Sequence, residues 1–168
     1  MLPSKIIYSE RTILRQLTEA DAADFYALNA DEEVLKYTGD KPFKNIEEAR
    51  EFLRNYNQYK LYGVGRMAVI DKTNGKLMGW CGLKYHEQSN EFDIGFRFFK
   101  HYWNMGYATE TAKACIEYEQ DIHQMKRMIG RAMLANKASL KVLQKLGFEF
   151  HAHFNFDGHE GAIYERLF

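Results

Sequence analysis

Residues 103–110 read Trp103-Asn104-Met105-Gly106-Tyr107-Ala108-Thr109-Glu110, the most informative stretch of the chain. Before it, Phe92-Asp93-Ile94-Gly95-Phe96-Arg97-Phe98 alternates large apolar residues with polar or small ones, which predicts a strand. After it, Ala108, Thr111, Ala112, Cys115 and Ile116 fall at i, i+3, i+4, i+7 and i+8, the buried stripe of an amphipathic helix. The segment is therefore a strand-to-helix turn. A helix starting there has N–H groups without partners at the positive end of its dipole, which suits a phosphate or pyrophosphate. Gly106 and Ala108, with absent or small side chains, would let the backbone approach such a ligand closely. A glycine needed only for a tight turn would look the same, and spacing alone leaves both readings open.

Working outward, residues 6–17 include Thr12-Ile13-Leu14-Arg15 and suit a first strand. Thr18-Glu19-Ala20-Asp21 forms a weak capping box, and Ala20, Ala23 and Ala27 follow at helical spacing. Asn45-Ile46-Glu47-Glu48 opens a second helix with Asn45 at the N-cap and Ile46, Ala49, Leu53 and Tyr56 on one apolar face. Two apolar runs, 67–70 and 77–83, flank Asn74-Gly75, a strong hairpin signal. A strand near 127–134 leads to Asn136, which can cap a short helix carrying Ser139, Val142 and Leu146 and ending at Gly147. Strands near 148–154 and 160–168 flank Asp157-Gly158, a second hairpin signal. The order β-α-α-β-β-β-α-β-α-β-β predicts one α/β (α+β) domain over residues 1–168. Its mixed sheet is mostly antiparallel, with six to seven strands and about four helices.

Composition narrows the function classes. The 23 basic and 23 acidic side chains cancel, so no molecule-wide field gathers nucleic acid or anionic lipid, and neither is expected as a partner. No apolar run approaches the roughly 20 residues of a membrane span. The start, Met1-Leu2-Pro3-Ser4-Lys5, lacks signal-peptide features. Cys81 and Cys115 lie inside apolar segments and read as buried, reduced thiols of a cytoplasmic protein. His151 and His153, two apart on a strand, would share a face, but no third ligand stands at metal-site spacing, so no metal is expected. The aromatic residues, 15% of the sequence, fall mainly at strand positions and are expected in the sheet core.

The loop resembles the pyrophosphate loop of the GCN5-related N-acetyltransferases (GNAT), Gln/Arg-x-x-Gly-x-Gly/Ala. Gly106 and Ala108 match it, while Trp103 stands at the Gln/Arg position. That departure is shared by the branch similar to the ribosomal-protein N-terminal (alanine) acetyltransferases, whose usual Tyr-Trp-x-x-Gly-Tyr-Ala-Thr-Glu fits Tyr102, Trp103 and Gly106 to Glu110. Two further stretches resemble the same branch in the same order. Ser9 to Arg15 with Thr18 to Asp21 looks like its opening strand and helix, and Asn136-Lys137-Ala138-Ser139 through Lys145-Leu146-Gly147-Phe148 looks like its second cofactor motif.

The resemblance implies acetyl transfer from acetyl-coenzyme A to a primary amine in a ternary complex. It puts the pyrophosphate on the N–H groups of Met105, Gly106, Tyr107, Ala108 and Thr109. The pantetheine arm would run along Phe96, Arg97 and Phe98 through backbone hydrogen bonds, at an edge opened by a break in pairing between two parallel strands. Asn136 would hydrogen-bond the pantetheine, its other role being the helix N-cap; Lys141 would meet a coenzyme A phosphate or simply be exposed. The attacking amine must lose a proton, and Asp93 is the first candidate base, against a plain strand aspartate; Glu160 and Asp157 come next. The tyrosine many members use as general acid is replaced by Leu143, which leaves Ser139 as the residue to test, against a role in packing alone. The acceptor is expected to be a protein N-terminus or a small-molecule amine, and the protein to be a monomer or homodimer. The opposing reading is a catalytically idle acyl-coenzyme A sensor of the same fold.

Overall fold

A computed structural model of the protein describes residues 4–168, so the reading of Met1, Leu2 and Pro3 lies outside the described residues. In sequence order the elements are β1 (Ile6–Tyr8), β2 (Thr12–Gln16), α1 (Ala22–Leu28), α2 (Glu32–Leu35), α3 (Ile46–Asn55), α4 (Gln58–Tyr62), β3 (Arg66–Asp71), β4 (Leu77–His86), β5 (Glu91–Phe98), α5 (Tyr107–His123), β6 (Arg127–Met133), α6 (Lys137–Lys145), β7 (Glu149–Phe156) and β8 (His159–Leu167). The strands form one sheet in the order β1-β2-β3-β4-β5-β6-β8-β7. Neighbours are antiparallel except β5 and β6, which run parallel.

The expected fold class is present with local differences. The strand expected over 6–17 is two, because Ser9-Glu10-Arg11 reverses the backbone: Ser9 N–H donates to the Thr12 carbonyl at 3.0 Å, and Thr12 N–H donates to Ser9 Oγ at 3.1 Å. This raises the sheet to eight strands. The helices α2 and α4 were also not expected; at four and five residues they are too short to display a period. Ile46, expected on the buried face of α3, is 39% exposed, whereas Ala49 and Leu53 are buried as read. Asn45 caps this helix, its Oδ1 accepting Glu48 N–H at 2.9 Å. Both hairpin signals hold. At the second, Asp157 and Gly158 take φ of +48° and +89°, the paired positive values of a type I′ turn.

The core lies on both faces of the sheet. On one, Ala112, Cys115 and Ile116 of α5 pack on Cys81, Leu83, Ile94 and Phe98. On the other, Phe25 of α1 and Ala49 and Leu53 of α3 pack with Ala68 and Leu77, and Trp80 and Phe99 border them. Because side chains alternate along β5, Phe92, Ile94, Phe96 and Phe98 face α5, while Glu91, Asp93, Gly95 and Arg97 face the α1–α3 side. This division separates the two halves of the site.

Candidate active site

At the loop, Asn104 and Gly106 take φ of +60° and +81°, so the backbone doubles back before α5 begins. The first backbone bond of α5 is Glu110 N–H to the Gly106 carbonyl at 3.0 Å, which leaves the N–H groups of Tyr107, Ala108 and Thr109 without backbone partners in the helix. Met105 and Gly106 are exposed beside them. Trp103 braces the loop, donating from Nε1 to the Phe98 carbonyl at 2.9 Å.

The β1–β2 turn completes this end, which sequence reasoning missed. Arg11 donates from Nε to Glu110 Oε1 at 2.7 Å and from Nη2 to the Met105 carbonyl at 3.0 Å, and its guanidinium lies 3.9 Å from the Tyr107 ring centroid. Glu110 also accepts from Ser9 Oγ at 2.5 Å and from Arg11 N–H at 3.0 Å. Burial pushes the Glu110 carboxyl up, but the bonds from Ser9 and Arg11 outweigh it and hold the group below the usual carboxylate range. The signal available was an acid in the first turn of a helix and an arginine at a polar break between apolar runs. Their pairing is a tertiary fact.

Beyond the loop, the parallel strands part. Asp93 and Ile129 are the one register pair between β5 and β6 among the described residues. Phe99 N–H donates across to the Met78 carbonyl at 3.0 Å, so alternation turns the backbone groups of Phe98 and Phe96 away from β4 and toward the opening, where the Phe98 carbonyl already accepts from Trp103. The far side of this opening is flanked by α6. Asn136 caps that helix, its Oδ1 accepting Ser139 N–H at 3.2 Å, which leaves its Nδ2 donors for another partner. Ser139 is half-buried, and Lys141, two residues further on, is exposed.

The other half of the site lies on the α1–α3 side. Asp93 is 7% exposed, not the solvent-facing aspartate of the alternative reading. Its Oδ2 lies 3.1 Å from His86 Nε2 and 3.8 Å from Arg66 Nη2. Arg66 fills the space that a side chain at Gly95 would take, since a Cβ there would be 2.7 Å from the guanidinium carbon. Arg66 and Arg97 both lie against Trp80, at 5.1 and 5.2 Å. Arg97 also reaches Asn29 and, at 2.7 Å, Asp40, tying the segment after α1 to β5. Burial lowers its pKa, against the ion pair with Asp40. Gly39, at φ +74°, leaves room for Phe156 of the last hairpin, whose ring would be 2.9 Å from a Cβ. The segment after α2 and the β7–β8 hairpin thus meet over this side.

Glu160 is exposed at the start of β8, and alternation with Ala162, which packs on Leu140 of α6, puts it on the opposite face from Asp93. Asp157 sits at the exposed hairpin tip. A bulge between Phe150 and Ala152 corrects the reading of the histidines: His151 turns to Glu165 at 3.2 Å, while His153 packs on the Phe150 ring, so they do not share a face. Among the described residues no group of three or more His, Cys, Asp or Glu side chains is placed to hold a metal ion. Cys81 and Cys115 are free and fully buried; burial pushes the Cys81 thiol up to about 12 and Cys115 well above its ordinary value. Among the described residues no helix is long and apolar enough to cross a membrane.

These features set a helix N-terminus with open N–H groups, suited to an anion, beside a strand edge opened by parted parallel strands. A family model described as an acetyltransferase (GNAT) domain matches residues 11–149. The uncharacterized protein YkkB of Bacillus subtilis is 31% identical over 166 residues, covering 95% of this chain and 94% of its own length. A GNAT-family acetyltransferase structure from Bacillus anthracis has the same fold, with a TM-score of 0.84 at 24% identity over 97% of this chain and 98% of that one. The structure of RimL, a ribosomal L7/L12 alpha-N-protein acetyltransferase in complex with coenzyme A, also superposes at a TM-score of 0.84, with 16% identity over 97% and 98% of the two proteins. The chain belongs to the GNAT acetyltransferase family. It is an acetyl-coenzyme A-dependent acetyltransferase.

Proposed function

We propose that the protein transfers acetyl from acetyl-coenzyme A to a primary amine, a protein N-terminus or a small molecule, by direct attack in a ternary complex. The observation that carries this reading is the parting of β5 and β6 beyond Asp93 and Ile129, with the open N–H groups of α5 at one end and a buried carboxylate at the other. The cradle suits the cofactor: N–H groups and a glycine fit a pyrophosphate, and free backbone groups fit an amide-bearing arm.

In this reading the N–H groups of Met105 to Thr109 hold the pyrophosphate. The backbone groups of Phe96 and Phe98 that face the opening and Asn136 Nδ2 hold the pantetheine, those of Arg97 being turned to Trp80 of β4, and Lys141 meets a phosphate. Bound acetyl-coenzyme A supplies the thioester, and a strand N–H of β5 stabilises charge on its carbonyl oxygen. Asp93 takes the proton from the amine, Glu160 lying on the other face of the sheet, and Ser139 donates one to the leaving thiolate. A thiol's ordinary pKa of about 8.5 makes that last role the lesser one.

RimL is described as an N-protein acetyltransferase, which supports testing N-terminal peptides first. The experiment incubates the protein with acetyl-coenzyme A and a panel of N-terminal peptides and small amines, following free thiol. Acceptor-dependent thiol release with a matching acetylated product is expected; coenzyme A binding without release for any acceptor overturns the reading.

A further inference from the structure

His86 was not singled out by sequence, yet it makes the one side-chain hydrogen bond to the Asp93 carboxylate among the described residues, Nε2 to Oδ2 at 3.1 Å. The contact follows from register. Lys84 lies opposite Asp93 and His86 opposite Glu91, so His86 and Asp93 are diagonal neighbours on one face of the β4–β5 pair. A carboxylate facing an imidazole lone pair would be repelled, so Nε2 carries the proton and donates it.

The alternative partner for Asp93 is Arg66, which already donates to the Asp93 backbone carbonyl at 2.9 Å and to the Gly82 carbonyl at 2.6 Å. Its Nη2 is 3.8 Å from Oδ2, too far for a hydrogen bond. Asp93 is only 7% exposed, and a buried carboxylate is held in place by such a bond. Without His86 it would be free to turn to the guanidinium, which would neutralise it.

We infer that His86 is the positioning residue of the proposed base: it holds Asp93 through Oδ2 and so leaves Oδ1 to take the proton. This rests on Asp93 being that base. As the amine nitrogen bonds to the acetyl carbon, the carbon–sulfur bond breaks and the electron pair leaves on sulfur. The proton lost by nitrogen goes to Oδ1 of Asp93. The charged groups around His86 are Lys84 and Glu87 on its own strand and turn, Asp93 and Glu91 on β5, Arg66 on β3 and Arg131 on β6, which lines an open cleft with it.

The test measures acetyl transfer from acetyl-coenzyme A to the panel member with the fastest thiol release. His86→Ala should lower kcat roughly tenfold, below the 10²–10⁴-fold scale of a full general base, and leave the acetyl-coenzyme A KM unchanged. His86→Gln, whose amide can donate to Oδ2, should recover most of the rate. The double variant His86→Ala with Asp93→Asn should be no slower than Asp93→Asn alone. Nitrogen-15 spectra should show the Nε2–H tautomer of His86 in the wild type and a tautomer mixture in Asp93→Asn. Wild-type turnover in His86→Ala while Asp93→Asn is slow overturns the role of His86 alone, as does full additivity in the double variant. Wild-type turnover in Asp93→Asn instead rejects Asp93 as base, and the positioning role with it.

Discussion

Arg11 and Glu110 meet through a 2.7 Å charge-assisted hydrogen bond although they stand 99 residues apart, joining the β1–β2 turn to the first turn of α5. The pair holds the loop from outside, since Arg11 also grips the Met105 carbonyl. The titration of Glu110 lies below its unfolded value, held there by Ser9 and Arg11 against the opposing effect of burial. Free glutamate titrates near about 4.3. Between the lowered folded value and that point the unfolded state binds more protons, so stability from this group is present above about pH 4.3 and lost as pH falls through the folded value. Glu110→Gln should therefore cost about 1–2 kcal/mol near neutral pH, and the gap to wild type should narrow in acid. Thermal melts from pH 7 to pH 3 measure this, and a gap that stays constant would show that the charge of Glu110 is not what matters.

The left-handed φ of Gly106 separates backbone strain from ligand contact. A Cβ there meets only Arg11 Nη2, at 3.5 Å, so the protein itself leaves the space open. Gly106→Ala should cost about 1–2 kcal/mol for the φ of +81°. Gly106→Asn, which tolerates that conformation better, should cost less. Both should weaken coenzyme A binding, because each Cβ stands where the backbone would approach the pyrophosphate. Calorimetry beside thermal melts gives the two quantities, and unaltered affinity in both variants would remove the phosphate from this loop.

The parts legible in the sequence were those set by local pattern. The stripe from Ala108 to Ile116, the Asn74-Gly75 and Asp157-Gly158 turns, and the Asn45 and Asn136 caps each depend on residues within one or two turns of backbone. The loop before α5 belongs with them. What stayed hidden depends on pairing between distant strands. Whether Asp93 is buried or solvated is decided by Arg66 and His86, which reach it only through the β3–β4 and β4–β5 registers. Arg11 was in view as part of the opening motif, but nothing within ten residues of it indicated Glu110. The bulge beside His151 is likewise invisible to a period-two count, and it reverses which face that residue shares.

Asn136 has two chemically distinct ends, and substitution can divide them. Its Oδ1 accepts Ser139 N–H and caps α6. Asn136→Ala should lose about 1 kcal/mol with the cap. Asn136→Asp keeps an acceptor for the cap but has no Nδ2 to donate, so it should hold wild-type stability and still bind coenzyme A more weakly. Wild-type affinity in the aspartate variant would reduce Asn136 to a cap.

Gly39 offers a way to disturb the acceptor side without touching the cofactor side. It takes φ of +74°, and a Cβ would sit 2.9 Å from Phe156 Cε1, so Gly39→Ala must displace that ring as well as strain the backbone. The neighbouring Asp40 is the partner of Arg97, which ties this segment to β5. The substitution should cost about 1–2 kcal/mol in stability. It should change the KM for the amine severalfold while the KM for acetyl-coenzyme A stays put, since Phe156 and the segment after α2 lie on the face away from α5. Steady-state kinetics with each substrate varied in turn decides it. A shift confined to acetyl-coenzyme A would move the acceptor away from the contact between this segment and the last hairpin.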